Sequence, residues 1–252
     1  MSERIDETGF GTLKLVQEAE DFCYGVDAVL LADFAAKQKR KIRCAVDLGT
    51  GNDAACLMLG HMTDVRKIAG VEVQKEPFAL FERNIEVNAL TGKAAGICEN
   101  VRNVDAVKAF LKEFAGDELS DGHADVVISN PPYTAAGGGM MGINRVKMAA
   151  RHEVLGTLED FMRCASELLM DRGDFYMVHR PARLVDICEL ARKYRLEPKE
   201  MQMVSPYEGS VPNILLIHCV KRGGKDLKWL EPLYIYEKNG KYSKKILEIY
   251  EK

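Results

Sequence analysis

The chain has 252 residues, 47% of them hydrophobic and 29% charged, enough for one α/β domain with a full core. No run approaches the roughly 20 apolar residues that span a bilayer. The charged start Met1–Glu7 lacks the apolar stretch of a secretory signal, so a cytoplasmic protein with no membrane contact is expected. The formal net charge of −3 gives no global sign of a nucleic-acid binder.

In chain order, residues 8–24 are expected to form a short hairpin, and Asp27 to be the N-cap of an apolar helix from Ala28 to about Gln38. Residues 37–43 then carry five basic side chains, which fit either a solvated helix end or an RNA-phosphate contact. Strand-like runs follow at Ile42–Leu48, Lys67–Val73, Ala94–Cys98, Ala124–Ser129 and Asp174–His179. They alternate with helix-like runs at Ala54–Met62, Lys75–Ala89, Val104–Phe114 and Leu158–Met170. Apolar strands alternating with helices predict a mostly parallel sheet with helices on both faces. Helix Arg183–Tyr194 precedes two strands, Leu196–Val204 and Asn213–Val220, whose short connection predicts an antiparallel hairpin at one sheet edge. Residues 227–252 add a strand at Leu233–Tyr236 and a final helix at Lys244–Tyr250. From Lys221 onward the tail holds nine Lys/Arg against five Asp/Glu. The whole is read as one domain: hairpin and helix over 1–40, core over 41–220, extension over 221–252.

The seven cysteines are odd in number, scattered, and without a Cys-x-x-Cys pair or a nearby His cluster. Neither disulfides nor a metal site is expected, and Cys56, Cys188 and Cys219 read as small core residues.

Val46-Asp47-Leu48-Gly49-Thr50-Gly51-Asn52 closes the first strand of the alternating region and opens a helix. Glycines there let backbone pass close to a bound nucleotide, although a lone Gly-x-Gly also serves other cofactors. Glu72, followed by Val73, ends the next strand, where a carboxylate can accept both ribose hydroxyls of an adenosine. Asp47 suits a nearby cationic group. After the third strand, Asn100 offers an amide oxygen to an adenine amino group beside Val101. Asp53 replaces the small residue that close approach would favour, and is equally good helix-capping chemistry.

Asn130-Pro131-Pro132-Tyr133 stands at the carboxyl end of the fourth strand. The prolines fix the backbone and leave no N–H, so the Pro131 carbonyl and the Asn130 side-chain oxygen are fixed acceptors. An exocyclic amine held by two acceptors has its lone pair aimed and its growing positive charge stabilised. Tyr133 gives a face for stacking a planar base or amide. Arg151 and His152 follow a glycine-rich stretch, where Arg151 is a candidate for RNA phosphate and equally for a salt bridge with Glu153.

The glycine loop together with Asn130–Tyr133 resembles class I methyltransferases that modify amino nitrogens. Further matches at Tyr24–Asp33, Ala150–Glu153, Phe175–Pro181, Lys221–Gly224 and Ile235–Ser243 resemble the bacterial tRNA1(Val) adenine-37 N6-methyltransferase group over nearly the whole chain. The resemblance implies a Rossmann-like, seven-stranded sheet, S-adenosylmethionine as cofactor and a tRNA anticodon-loop adenine as acceptor. Asn130–Tyr133 would then be the catalytic motif, and Gly49, Gly51 and Glu72 cofactor contacts. Asp53 and Asn100 depart from that family's Gly and Asp, and Glu208–Asn213 departs from its Lys/Glu-bearing loop. Weaker cofactor binding is therefore expected. Protein glutamine methylation, rRNA amino-methylation and a non-catalytic binding protein with an eroded loop are the competing readings.

Overall fold

The computed structural model describes residues 3–18, 25–38, 40–51, 55–133 and 155–251. It opens with an antiparallel hairpin, β1 (Glu3–Glu7) and β2 (Lys14–Glu18). The core is a nine-stranded sheet built from β3 (Cys44–Leu48), β4 (Lys67–Glu72), β5 (Ala94–Cys98), β6 (Ala124–Ser129), β7 (Leu169–His179), β8 (Leu196–Ser205), β9 (Ile214–Lys221), β10 (Lys228–Trp229) and β11 (Leu233–Tyr234). The strand order is β10-β8-β9-β7-β6-β3-β4-β5, with β11 also on β8. Strands β3 to β7 are mutually parallel, and β9 runs antiparallel between β7 and β8. Seven strands with an antiparallel β8–β9 hairpin match the expected sheet. The short β10 and β11 cover the β8 edge that the sequence left open.

β3 is buried at every position, as a central parallel strand must be when both faces are covered. Helices α1 (Val26–Ala36), α2 (Ala55–Met62) and α3 (Lys75–Val87) share one apolar cluster with Ile246 and Ile249 of the C-terminal helix α7 (Lys244–Tyr250). Helices α4 (Val104–Ala115), α5 (Leu158–Leu168) and α6 (Leu184–Lys193) bury residues in the cluster on the other face. Local chemistry fixes several starts. Asn103 caps α4, Ser243 caps α7, and Thr157 and Asp160 form a reciprocal capping box on α5.

Three expectations change, the first being that the N-terminal hairpin pairs Glu3–Glu7 with Lys14–Glu18 and so begins before residue 8. α1 begins at Val26 behind Gly25, so Asp27 is not its N-cap but lies in its first turn, with its carboxylate directed elsewhere. α5 stops at Leu168, because Leu169 turns extended and pairs with Ala124, so β7 starts five residues before the expected Asp174. The N-terminal hairpin is fastened by two amides one helical turn apart. Asn84 of α3 and Asn88 at its C-cap accept from the Val16 and Lys14 N–H groups at 2.6 and 2.8 Å and donate to the same residues' carbonyls, standing in for a neighbouring strand.

Cys44, Cys56, Cys164 and Cys219 are buried, as core residues should be, while Cys188 is half-buried and Cys98 exposed. Burial pushes the Cys44 and Cys164 thiols up to about 12. Among the described residues no cluster of His, Cys, Asp or Glu could hold a metal ion, and no helix is long and apolar enough to cross a membrane.

Candidate functional site

The carboxyl ends of β3, β4, β5 and β6 meet at one crevice, the place where open α/β sheets bind ligands. The Val71 carbonyl accepts from the N–H groups of Gly49 and Thr50 at 2.8 and 3.1 Å, which folds the glycine loop back over β4. Gly49 and Gly51 both take positive φ, 73° and 51°, and a Cβ on Gly49 would lie 3.1 Å from Phe161. The backbone conformation therefore favours glycine at Gly49, and a Cβ there would also press on the Phe161 ring.

Below the loop, Asp47 is buried and its Oδ2 accepts from the Thr50 hydroxyl at 3.2 Å and the Cys56 N–H at 3.3 Å. Its carboxylate ties the loop to the start of α2 and does not line the crevice. Glu72 does. It is only 5% exposed, and its two oxygens accept from the Gly51 and Gln74 N–H groups at 2.9 and 2.8 Å.

A cavity of about 340 Å³ results, lined by Gly49, Gly51, Glu72, Val73, Val101 and Asn130, with Pro132 also on its wall. Pro77, Glu99 and Phe161 also line it, and neither Pro77 nor Phe161 carries a motif that marks it in the sequence. Asn100 Oδ1 accepts from the Arg102 N–H at 2.9 Å in a local turn, while its neighbour Glu99, the acid at the end of β5, lines the cavity. A larger cavity of about 610 Å³ lies toward the opposite end of the sheet, around Asp174 and His218, away from the glycine loop and Asn130. Asn52, Asp53, Arg151 and His152 lie outside the described residues.

Asn130 and Pro132 face the cavity, whereas Tyr133 turns toward α1. Its hydroxyl stands 2.8 Å from Asp27 Oδ2 and 2.7 Å from Asn130 Oδ1. The His179 ring meets the Tyr133 ring edge-on at 5.2 Å, and the Arg180 guanidinium stands 4.2 Å from the ring centre. Arg180 also reaches Asp27 at 3.8 Å and donates to the Asn213 carbonyl at 2.9 Å. Burial, with help from the Arg183 charge, lowers the His179 pKa to about 4, and its Nδ1 accepts from the Arg180 N–H at 2.8 Å. At neutral pH that ring is therefore uncharged. Asp27, His179 and Arg180 come from α1 and the end of β7, far from Tyr133 in sequence, and their convergence had no signal in the motif itself.

No family model matches the chain. Several curated relatives do. It is 25% identical over 194 residues to the tRNA1(Val) (adenine(37)-N6)-methyltransferase of Porphyromonas gingivalis, covering 76% of this chain and 72% of that protein. The enzyme of the same name from Tolumonas auensis is 24% identical over 252 residues, covering 94% and 93%. Among solved structures, a predicted O-methyltransferase from Agrobacterium tumefaciens superposes with a TM-score of 0.66 at 23% identity, over 89% of this chain and 95% of that one. The Methanocaldococcus jannaschii tRNA m1G37 methyltransferase gives 0.57 at 15% identity, over 88% and 57%. The chain thus has a methyltransferase fold, and in sequence it is similar to the proteins named tRNA1(Val) (adenine(37)-N6)-methyltransferase.

Proposed function

We propose that this chain transfers a methyl group from S-adenosylmethionine to the N6 amine of an adenine in RNA, and that the RNA is tRNA. One observation carries the reading. Asn130 and Pro132 of the Asn-Pro-Pro-Tyr motif open onto the same cavity as the glycine loop and Glu72. The names of the relatives support adenine and tRNA over other amine acceptors.

The cavity fits the cofactor in chemistry. Gly49 and Gly51 bring backbone to its wall without a Cβ, Glu72 offers a carboxylate for ribose hydroxyls, and Val73, Val101 and Phe161 give apolar sides to a flat base. Glu99 takes the role first expected of Asn100, accepting from the adenine amino group. When bound, S-adenosylmethionine supplies an electrophilic methyl group.

On the acceptor side, Asn130 and the Pro131 carbonyl accept the two hydrogens of the substrate amine, directing its lone pair into the cavity. A phenol has one hydrogen, and two oxygens compete for that of Tyr133. The Asp27 carboxylate is the stronger acceptor. The phenol oxygen can then only accept from Asn130, through an amide N–H, and a half-turn of the Asn130 amide provides one. In this reading the half-turn takes Oδ1 off Tyr133, and Oδ1 accepts from the substrate amine. Asp27 is thus a positioning residue, acting on Asn130 through Tyr133. Arg180 covers one face of Tyr133, so a base stacking there displaces the guanidinium, which is then available to RNA phosphate.

The test separates binding from chemistry. Asn130→Ala is expected to remove nearly all methyl transfer to tRNA while calorimetry shows S-adenosylmethionine binding unchanged. Near-normal transfer by that variant, or no cofactor binding by the wild type near physiological concentration, would overturn the reading.

A further inference from the structure

The C-terminal extension places a row of aromatic rings beside the site. β11 pairs with the carboxyl end of β8, Leu233 opposite Val204 and Tyr234 opposite Ser205. The Ile235 and Tyr236 N–H groups then donate to the Ser205 and Pro206 carbonyls at 3.0 and 2.8 Å, which binds the segment to the loop after β8. A tight turn follows, closed by the Glu237 N–H on the Lys241 carbonyl at 2.8 Å, and it returns Tyr242 opposite Tyr236. Ser243 locks the return by donating to the Ile235 and Tyr234 carbonyls at 2.8 and 2.6 Å, and it also caps α7.

This geometry lines up Tyr207, Tyr236, Tyr242, Tyr250 and Phe10, with successive ring centres 5.6, 5.4, 5.8 and 5.5 Å apart. Phe10 is buried in the core, and Tyr250 and Tyr236 pack half-buried against it, which joins the extension to the N-terminal hairpin. The rings of Tyr207 and Tyr242 are more open. Tyr207 is 45% and Tyr242 39% exposed, and Lys238, Lys241, Lys244 and Lys245 stand exposed along the turn and the start of α7. Among the described residues, Lys244 and Lys245 pair with the solvent-exposed Glu248 and Glu231, and such pairs hold little.

The row is also on the catalytic side. β8 runs parallel to β6, so the loop holding Tyr207 leaves the same end of the sheet as Asn130. Asn213, at the far end of that loop, accepts from Arg180, which stands over Tyr133.

We propose that Tyr207, Tyr236 and Tyr242, with Lys238, Lys241 and Lys244, form a docking surface for RNA outside the reacting adenine. An unpaired base of the loop that carries the target lies on Tyr207, the outermost ring, which Tyr236 and Tyr242 back in the stacked row, and the lysines meet the phosphates beside it. Stacking tolerates any base, so this surface supplies affinity and direction, and the Asn130 site supplies selection. The inference rests on the RNA reading of the active site.

The test is fluorescence anisotropy with a labelled tRNA anticodon stem-loop and a fully paired duplex of equal length, run beside methyl transfer to tRNA. Tyr207→Ala is expected to raise the stem-loop Kd about tenfold, the loss of one stacked base. The duplex Kd should stay unchanged. Lys238→Ala with Lys241→Ala should flatten the salt dependence of binding by about 0.7 in log–log slope per lysine. Tyr242→Leu keeps apolar packing and should still weaken the stem-loop. Calorimetric cofactor affinity should be unchanged in every variant, and a matching loss there would reassign the row to fold stability and overturn the surface. If the wild type methylates tRNA and these variants bind as it does, the surface is wrong and the active-site reading stands. If the variants lose RNA but the wild type labels only protein, the reading fails and the surface stands. If the wild type binds no RNA, both fall.

Discussion

Tyr133 stands between Asp27 and Asn130 with one hydrogen to give, and this makes the proposed mechanism testable by coupling. Asp27→Ala and Tyr133→Phe should each lower kcat about tenfold, the scale of a lost buried hydrogen bond to a charged group. The double variant should lose little more than either alone, because both remove the same restraint on Asn130. Additive losses in steady-state kinetics would contradict the relay. Arg180→Ala should raise KM for RNA and change kcat little. At His179 the folded pKa, about 4, lies below the unfolded value of 6.5. The unfolded chain therefore binds more protons between those values, and stability present above pH 6.5 is lost as pH falls toward 4. Denaturant titrations should show a loss of at most about 3 kcal/mol over that window, and His179→Leu should remove it. Residue identities at the motif were legible because Asn-Pro-Pro-Tyr is local. The end of β5 is less legible: a one-residue shift decides which side chain meets the cavity, here Glu99, while Asn100 accepts from the Arg102 N–H in an Asx-type turn.

Among the elements, the glycine loop is the most constrained. Gly49→Ala must place a Cβ 3.1 Å from Phe161 in a backbone at φ 73°. It should lower the melting temperature and weaken S-adenosylmethionine by at least about tenfold in calorimetry, since strain of ~1–2 kcal/mol falls on the binding wall itself. Thr157→Ala opens the capping box of α5 and should cost about 1 kcal/mol of stability without changing the cofactor Kd. Most parallel strands and helices could be read from the sequence because continuous apolar runs and helical periodicity are local signals. The α5–β7 junction could not: Leu169 and Met170 continue a helical pattern, and only pairing with β6 makes them strand. β10, two exposed residues held by β8, has no pattern to read.

At the scale of the molecule, the sheet order brings β3, β4, β5 and β6 to one crevice, so motifs up to 84 positions apart, Gly49 to Tyr133, form one site. Sequence order and strand alternation were enough to anticipate that meeting. The contribution of α1 and the β7 end was hidden, because Asp27 and Arg180 approach Tyr133 through packing of the helix layer on the sheet. The strand and helix of the C-terminal extension are legible in the sequence, but their place is not: the extension covers the β8 edge and carries the tyrosine row. The most direct test of the central claim is transfer of a labelled methyl group from S-adenosylmethionine to total tRNA, total rRNA and protein extract, with mass analysis of the nucleosides. Label is expected in tRNA as N6-methyladenosine, lost with Asn130→Ala. Label in protein alone, or in no fraction, would contradict it.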